Sequence, residues 1–325
     1  MDFDNATQLY IGDKEVDMLF QGNNQVWKRP VPDTLDYLYF EAVVANTKVQ
    51  MTKYGSPSTT PQLEYSTDKA TWTPFVAGTD VVTLANVGDK VWFRNQGTQT
   101  ALASSGGDCW VFGTASGYVD AGGWVTSLLD KTNYKTMTTL GDFALTGLFR
   151  GTLTLNDASN LVFSATTLGN RAYASMFRGN YNLLRGPKYW QPPLKTTSTN
   201  CCAWMFENCG QMQSGPQHFV QPHQVAAAYT GSMYQNFYKS CSSFKLPVRI
   251  HGGMVDGAYA FGYMFQSSGV NDVTVEWTSW GSAVGHQDWM AGVGSTGTFH
   301  KKSSLTLYRG TSYIPNGWTV LNDVK

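Results

Sequence analysis

The chain has 325 residues, of which 42% are hydrophobic, 14% aromatic and 14% charged, and its 23 basic and 23 acidic residues cancel to a net charge of zero. That length suits about two domains of roughly 150 residues. Aromatic richness and low charge exclude a disordered chain, the lack of a basic excess excludes a nucleic-acid binder driven by phosphate neutralisation, and no run of about 18 apolar residues offers a membrane-inserting segment.

In chain order, Met1-Asp2-Phe3-Asp4-Asn5 is acidic and polar, without the basic and apolar regions of a signal peptide. A short tandem follows. Leu9-Tyr10-Ile11-Gly12-Asp13-Lys14-Glu15-Val16 aligns with Leu19-Phe20-Gln21-Gly22-Asn23-Asn24-Gln25-Val26 at an offset of ten. Apolar residues flanking Gly-Asp or Gly-Asn turns signal two β-hairpins. Hairpins of this size need support, either from the rest of the chain or from an external partner. We therefore expect residues 1–30 to be a hairpin anchor, with Tyr10, Leu19, Phe20 and Trp27 as its partner-binding residues. Pro30-Val31-Pro32-Asp33 reads as a stiff linker.

Residues 31–125 read as a β-sandwich. Strand-like runs at 35–44, 49–53, 62–66, 81–84 and 90–94 alternate with turn residues. Trp72 and Phe75 are expected in its interior. The six glycines between Ser104 and Trp124 suggest a loop-rich transition rather than regular strands.

Residues 126–280 carry an internal repeat, and 281–325 close it. The pairs Leu148-Phe149, Met176-Phe177, Met205-Phe206, Phe237-Tyr238 and Met264-Phe265 recur every 27 to 32 residues. Four positions before each pair stand Ala144, Ala172, Cys201, Met233 and Ala260. Four positions after its first member stand Thr152, Asn180, Cys209, Cys241 and Ser268. Seven positions after come Leu155, Leu183, Met212 and Phe244, with Asn271 departing from the pattern. Such a period implies a solenoid whose units bury their apolar faces only by stacking. Each pair is expected to point inward from a short helical turn, so Phe149, Met176, Phe177, Met205, Phe206, Phe237, Tyr238, Met264 and Phe265 form a repeat core. The fold class is then mainly β: hairpin anchor, β-sandwich, leucine-rich-repeat-like solenoid and C-terminal cap.

The run Met233-Tyr234-Gln235-Asn236-Phe237-Tyr238-Lys239-Ser240-Cys241-Ser242-Ser243-Phe244, followed by Leu246-Pro247, resembles the repeat of BspA-like (Treponema-type) leucine-rich-repeat proteins. Met176-Phe177-Arg178-Gly179 and Met205-Phe206-Glu207-Asn208-Cys209 match it in part, and the resemblance covers about 140 residues. Thr71-Trp72-Thr73 and Val87-Gly88-Asp89-Lys90-Val91-Trp92-Phe93-Arg94 resemble the β-domain that precedes such repeats in phage-encoded proteins. Trp289, Gly292-Val293 and Ile314-Pro315-Asn316-Gly317-Trp318 resemble their closing module.

Chemistry is sparse. A glycosidase needs two carboxylates flanking the scissile bond; Asp272 and Glu276 are the best pair on offer and read as solvated charges. His218, His223, His251, His286 and His300 are scattered, and the cysteines lack zinc spacing. No catalytic residue, metal or cofactor is expected, and the chain does not read as an enzyme. Tyr189, Trp190, Trp277, Trp280 and Trp289 fall at loops or coil edges, where they either stack on sugars or peptides or seal the ends of the solenoid. The odd count of five cysteines in apolar surroundings reads as buried free thiols. Surface-type composition with cytoplasmic cysteine usage, together with the resemblance, implies a bacteriophage virion protein released by lysis. Its N-terminus would contact other virion proteins, its solenoid a host cell-surface glycan or protein, and it would be a homo-oligomer. The alternative is a bacterial cell-surface or secreted adhesin with the same repeats.

Overall fold

The computed structural model describes residues 29–152, 154–196, 199–220, 231–252 and 259–324 with their side chains, together with the backbone of four short N-terminal strands and of His223–Gln224. The protein is mainly β, with no α-helix among the described residues. Leu9–Ile11 pairs antiparallel with Lys14–Val16, and Met18–Gln21 with Asn24–Lys28, each hairpin a two-stranded sheet of its own. The side chains of Tyr10, Leu19, Phe20 and Trp27 lie outside the described residues.

Two sheets then face each other. One contains, in spatial order, Tyr189–Trp190, Leu155–Phe163, Val119–Trp124, Leu38–Ala42, Lys90–Asn95, Leu63–Ser66 and Thr73–Phe75; the other contains Cys109–Ser116, Thr47–Tyr54 and Val81–Leu84. Burial alternates with period two along Lys90–Asn95 and Val81–Leu84, as the pleat requires. Phe40, Phe75, Phe93 and Phe112 meet between the sheets, with Phe93 and Phe112 centroids 4.7 Å apart. Phe75 is buried as expected, but Trp72 is not interior. It stays half-exposed on the outer face, where the Arg94 guanidinium lies 3.7 Å from its ring and Tyr37 packs edge-on.

The glycine-rich stretch 104–124 corrects a second expectation, since it holds the strands Cys109–Ser116 and Val119–Trp124. Its glycines serve close approach. A Cβ on Gly122 would sit 2.4 Å from the Tyr39 ring, and Gly123 has φ +84° with its Cβ position 2.0 Å from the Tyr37 carbonyl oxygen. Val119–Trp124 pairs antiparallel with Leu38–Ala42 on one side and parallel with Leu155–Phe163 on the other. The sandwich sheet therefore runs directly into the repeats.

Within the repeats, each turn of the chain combines strand segments with a run of turns. Short parallel strands line one side (Thr139–Leu140, Thr167–Leu168, Lys195–Thr196, His223–Gln224). A five-stranded parallel sheet lines another, in the order His218–Val220, Val248–His251, Asp272–Val275, Thr298–Lys302 and Thr319–Val324. The expected helical turn is instead a series of consecutive β-turns. In residues 171–180, for example, the N–H groups of Ala174 and Arg178 bond three residues back. Those of Tyr173, Ser175, Phe177 and Gly179 cross to carbonyls of the next copy. Every fourth residue takes a positive φ: Arg171, Ser175 and Gly179, then Asn200, Trp204 and Asn208, then Ser232, Asn236 and Ser240, then Tyr259, Tyr263 and Ser267. An α-helix would spend all its N–H groups internally; here half of them are released to knit copies together. The left-handed residues cost energy for non-glycine side chains, which these crossing hydrogen bonds offset.

The register places Phe149, Phe177, Phe206, Tyr238 and Phe265 in file. Successive centroids are 5.2, 4.9, 5.6 and 6.2 Å apart, with ring planes within 20° of parallel. Met176, Met205, Phe237 and Met264 beside them are fully buried. Thr152, Asn180, Cys209 and Cys241 have a shared task. Their side chains donate to the carbonyls of Phe112, Phe149, Phe177 and Phe206, at 2.7, 2.9, 3.1 and 3.0 Å, each one copy earlier. Phe112 of the sandwich occupies the same register, because its N–H bonds to Leu148 O as Phe149 N–H bonds to Met176 O. The sandwich thus covers the first copy. At the far end Phe265 N–H bonds to Trp289 O, and Asp288 and Gly292 (φ 47° and 70°) continue the left-handed positions. A further turn run therefore occupies part of the segment that the sequence assigns to the cap.

Candidate functional site

The aromatic residues considered for surface binding are mostly core. Trp190, Trp277 and Trp280 are 2%, 0% and 5% exposed, and Trp289 is fully buried; only Tyr189 is half-exposed. Two of the indole N–H groups find carbonyls in the segment that follows, Trp280 donating to Thr306 O (2.7 Å) and Trp289 to Tyr313 O (3.0 Å). Trp190 and Trp277 are buried against other rings, Phe163 and Phe237 for the first and Phe261 and Trp289 for the second. The Trp280 and Trp289 rings thus hold consecutive segments together.

The strongest concentration of accessible chemistry lies elsewhere, where the sandwich meets the turn runs. A cleft of about 350 Å³ is lined by Tyr54, Gly106, Gly107, Arg150, Arg171, Ala174, Ser175, Arg178 and Trp204. The volume falls within the roughly 300–1,000 Å³ of ordinary ligand sites. Its residues come together through the repeat register. Arg150 and Arg178 hold equivalent positions in successive copies, as the bonds of Gly151 N–H to Arg178 O and Gly147 N–H to Ala174 O show. Arg171 and Trp204 occupy left-handed positions (φ 53° and 58°) that turn their side chains outward.

Each guanidinium is held differently. Arg150 lies 4.0 Å from the Tyr54 ring centroid and donates from Nη1 to Gly106 O at 3.4 Å. Arg171 lies 5.8 Å from the Trp204 ring and packs directly on Gly106, where an added Cβ would meet its Nη1 at 1.8 Å. Arg178 is ion-paired with Glu207 (2.5 Å), which also faces Lys239 at 3.7 Å. Among the described residues, Arg150 and Arg171 have no acidic partner. Asp108, next to the Gly106–Gly107 lip, turns its carboxylate to the Ser56 N–H and the Ser105 hydroxyl, bonds that hold its pKa below the usual range. The cleft is therefore locally cationic on a molecule of zero net charge.

A second constellation joins residues that look scattered in sequence. Parallel pairing of His218–Val220 with Val248–His251 stacks the His218 and His251 rings, with Nδ1 of the first 2.9 Å from Nε2 of the second. His251 Nδ1 donates to Glu276 Oε1 (3.1 Å), which also accepts from Arg249 Nε (3.0 Å), while Gly252 N–H donates to Oε2 (3.1 Å). Burial, reinforced by His251 and Arg249, pushes His218 down to about 3. Burial also lowers His251, against the pull of Glu276. Glu276, which burial alone would raise, is held down to about 2 by His251, Gly252 N–H and Arg249. Both rings are thus neutral at pH 7 and the carboxylate is ionised. Glu276 is no partner of Asp272, which faces His300 Nε2 at 3.6 Å. No cluster of three metal-ligating side chains occurs among the described residues.

Nothing in the sequence marks either constellation as a motif: the arginines stand 21 and 7 residues apart and the His–His–Glu row 33 and 25. The repeat offset projects residues 251 and 276, and the cleft's residues 150 and 178, onto neighbouring copies, but it does not reach Tyr54 and Gly106 on the sandwich side of the cleft. No protein-family model, curated protein or solved structure matches the chain.

Proposed function

We propose that this chain is a structural protein of a bacteriophage virion, a head or tail fibre or decoration. It displays a leucine-rich-repeat-like solenoid with a C-terminal cap for attachment to the host surface. Residues 1–30 dock it on other virion proteins through Tyr10, Leu19, Phe20 and Trp27, the mature form is a homo-oligomer, and the receptor is a host cell-surface glycan or protein. The observation that carries this reading is the unbroken file from Phe149 to Phe265, backed by the sandwich through the Phe40–Phe149 contact at 6.1 Å. A stack in which every copy buries its neighbour's apolar face makes a stiff rod, and a stiff rod suits display. The reduced, buried thiols favour a virion protein assembled in the host cytoplasm over an exported adhesin. Cys209 and Cys241 act as protonated hydrogen-bond donors, and burial holds both well above the ordinary thiol range.

The test is a phage whose gene for this protein lacks the codons for residues 2–30. Purified particles should have lost the protein, while the shortened chain remains soluble in the lysate and melts cooperatively. Particles that retain the shortened chain at the normal level would overturn the anchor assignment, and particles that never contain the full-length chain would overturn the virion reading.

A further inference from the structure

We infer that the cleft formed by Arg150, Arg171, Tyr54 and Trp204 binds a carboxylate-bearing saccharide, which makes the receptor of the preceding proposal an acidic glycan; to that extent the inference rests on the proposal. The two cations without an acidic partner among the described residues are both held in place at the cleft wall. Arg150 rests on Tyr54 and Arg171 on Trp204 and Gly106. At 4.0 Å from its ring Arg150 is in close contact with Tyr54, whereas Arg171, 5.8 Å from the Trp204 centroid, is held chiefly by its packing on Gly106. Arg150 spends one donor on Gly106 O, and among the described residues the Arg171 guanidinium makes no hydrogen bond or ion pair. Arg150 and Arg171 therefore line one cavity with N–H donors that no described carboxylate uses, and a guanidinium takes a carboxylate bidentately.

The cavity is too large for a lone anion and has half-exposed aromatic walls, since Trp204 is partly exposed and Tyr54 is 43% exposed. A sugar ring supplies the C–H face for such walls and the acid group for the forks. A nucleic-acid strand fits less well, because a second phosphate running along the copies would meet Glu207. An acidic peptide fits less well too. Extended peptides are held by free backbone groups at a sheet edge, whereas the floor N–H groups of Ala174 and Ser175 are committed to Arg171 O and Ala203 O.

The experiment is calorimetric titration of the full chain with an oligogalacturonate and a sialylated trisaccharide, the methyl ester of each, inorganic phosphate, and a short poly-glutamate peptide. The expected result is saturable binding to at least one of the two acidic saccharides, with its ester weaker by about tenfold or more, as loss of a charge-assisted pair implies. Arg171→Gln should weaken binding by a similar factor. Gly106→Ala, which keeps every charge but displaces the Arg171 guanidinium, should weaken it as well, with melting curves of both variants unchanged. The inference is overturned if neither saccharide binds, if esters bind as tightly as acids, if either variant binds normally, or if phosphate or poly-glutamate competes as strongly as the saccharide. Titration needs only the isolated chain, so its failure is separable from failure of particle incorporation.

Discussion

The sandwich and the repeat stack both build their interiors from phenylalanine, but with opposite geometry. In the sandwich, Phe40, Phe75, Phe93 and Phe112 come from strands up to 72 residues apart, and most of their planes are inclined to one another, by 75° for Phe40–Phe93 and 80° for Phe75–Phe93. In the stack, Phe177 and Phe206 lie 4° from parallel because register, rather than local packing preference, sets their orientation. Edge-on contacts match the ring quadrupole and offset stacks tolerate it, so neither arrangement is strained. What differs is the range of dependence. Each sandwich ring needs several distant strands, whereas each ring of the file needs only the copy before and the copy after.

Phe206→Ala gives this contrast its hardest test. It removes a fully buried ring and should cost about 3–5 kcal/mol. Nearest-neighbour coupling then predicts faster amide hydrogen exchange across 171–180, 200–209 and 232–241, with protection kept in Leu38–Ala42 and Lys90–Asn95. Phe112→Ala should do the reverse, loosening both sandwich sheets and the first turn run that its N–H bonds. Equal acceleration throughout the molecule in both variants would make the chain one cooperative unit and erase the distinction.

A smaller effect probes the side-chain donors between copies. The Phe177 carbonyl accepts Asn180 N–H (2.9 Å) as well as the Cys209 thiol (3.1 Å), so deleting the thiol leaves the acceptor satisfied. Cys209→Ala should therefore lower stability by only about 1 kcal/mol, and Cys209→Ser, which retains a donor, by less. Denaturant midpoints decide the matter; a Ser variant as unstable as the Ala variant would assign Cys209 to packing alone.

The same difference in range explains what could be read from the chain. The strands 49–53, 62–66, 81–84 and 90–94 stand within a residue or two of their observed limits, because alternation and turn residues are local signals. The stacking of Phe177, Phe206, Tyr238 and Phe265 was legible because a repeat converts a distant contact into a sequence offset. Three features escaped for matching reasons. The turn runs imitate helical spacing in their apolar positions, and only the recurrence of Gly, Asn or Ser at 151, 179, 208, 240 and 267 hints at left-handed backbone. Gly122 and Gly123 look like loop residues until Tyr39 and Tyr37 are placed against them. Trp190, Trp277 and Trp280 look available in sequence because the Phe237 ring over Trp190, the Phe261 ring over Trp277 and the Thr306 carbonyl that Trp280 bonds come from segments that no local pattern joins to them. The cationic cleft combines repeat residues with the sandwich's Tyr54 and Gly106, so no single offset reveals it.

Acid should separate the two regions by their titrating groups. His218 has a folded pKa of about 3 against 6.5 for the free side chain, and His251 is lowered in the same direction. The unfolded chain takes up protons that the folded rings refuse, so this contribution to stability is complete above pH 6.5 and shrinks as pH falls toward 3. Glu276, lowered from 4.5 to about 2, adds a loss confined to more acid conditions. In the sandwich, Asp68 is held down to about 2 from 3.8 by the Thr71 and Ala70 N–H groups and the Ser66 hydroxyl, so whatever it contributes is retained until pH drops below 3.8. Between pH 6.5 and 4, hydrogen exchange in Val248–His251 and Asp272–Val275, corrected for its intrinsic pH dependence, should lose protection while Leu63–Ser66 and Lys90–Asn95 hold theirs. His218→Asn should flatten the response of the parallel sheet across that window. A flat profile in the unaltered protein, or an equal decline in both regions, would mean that the histidine row does not set the acid sensitivity of the stack.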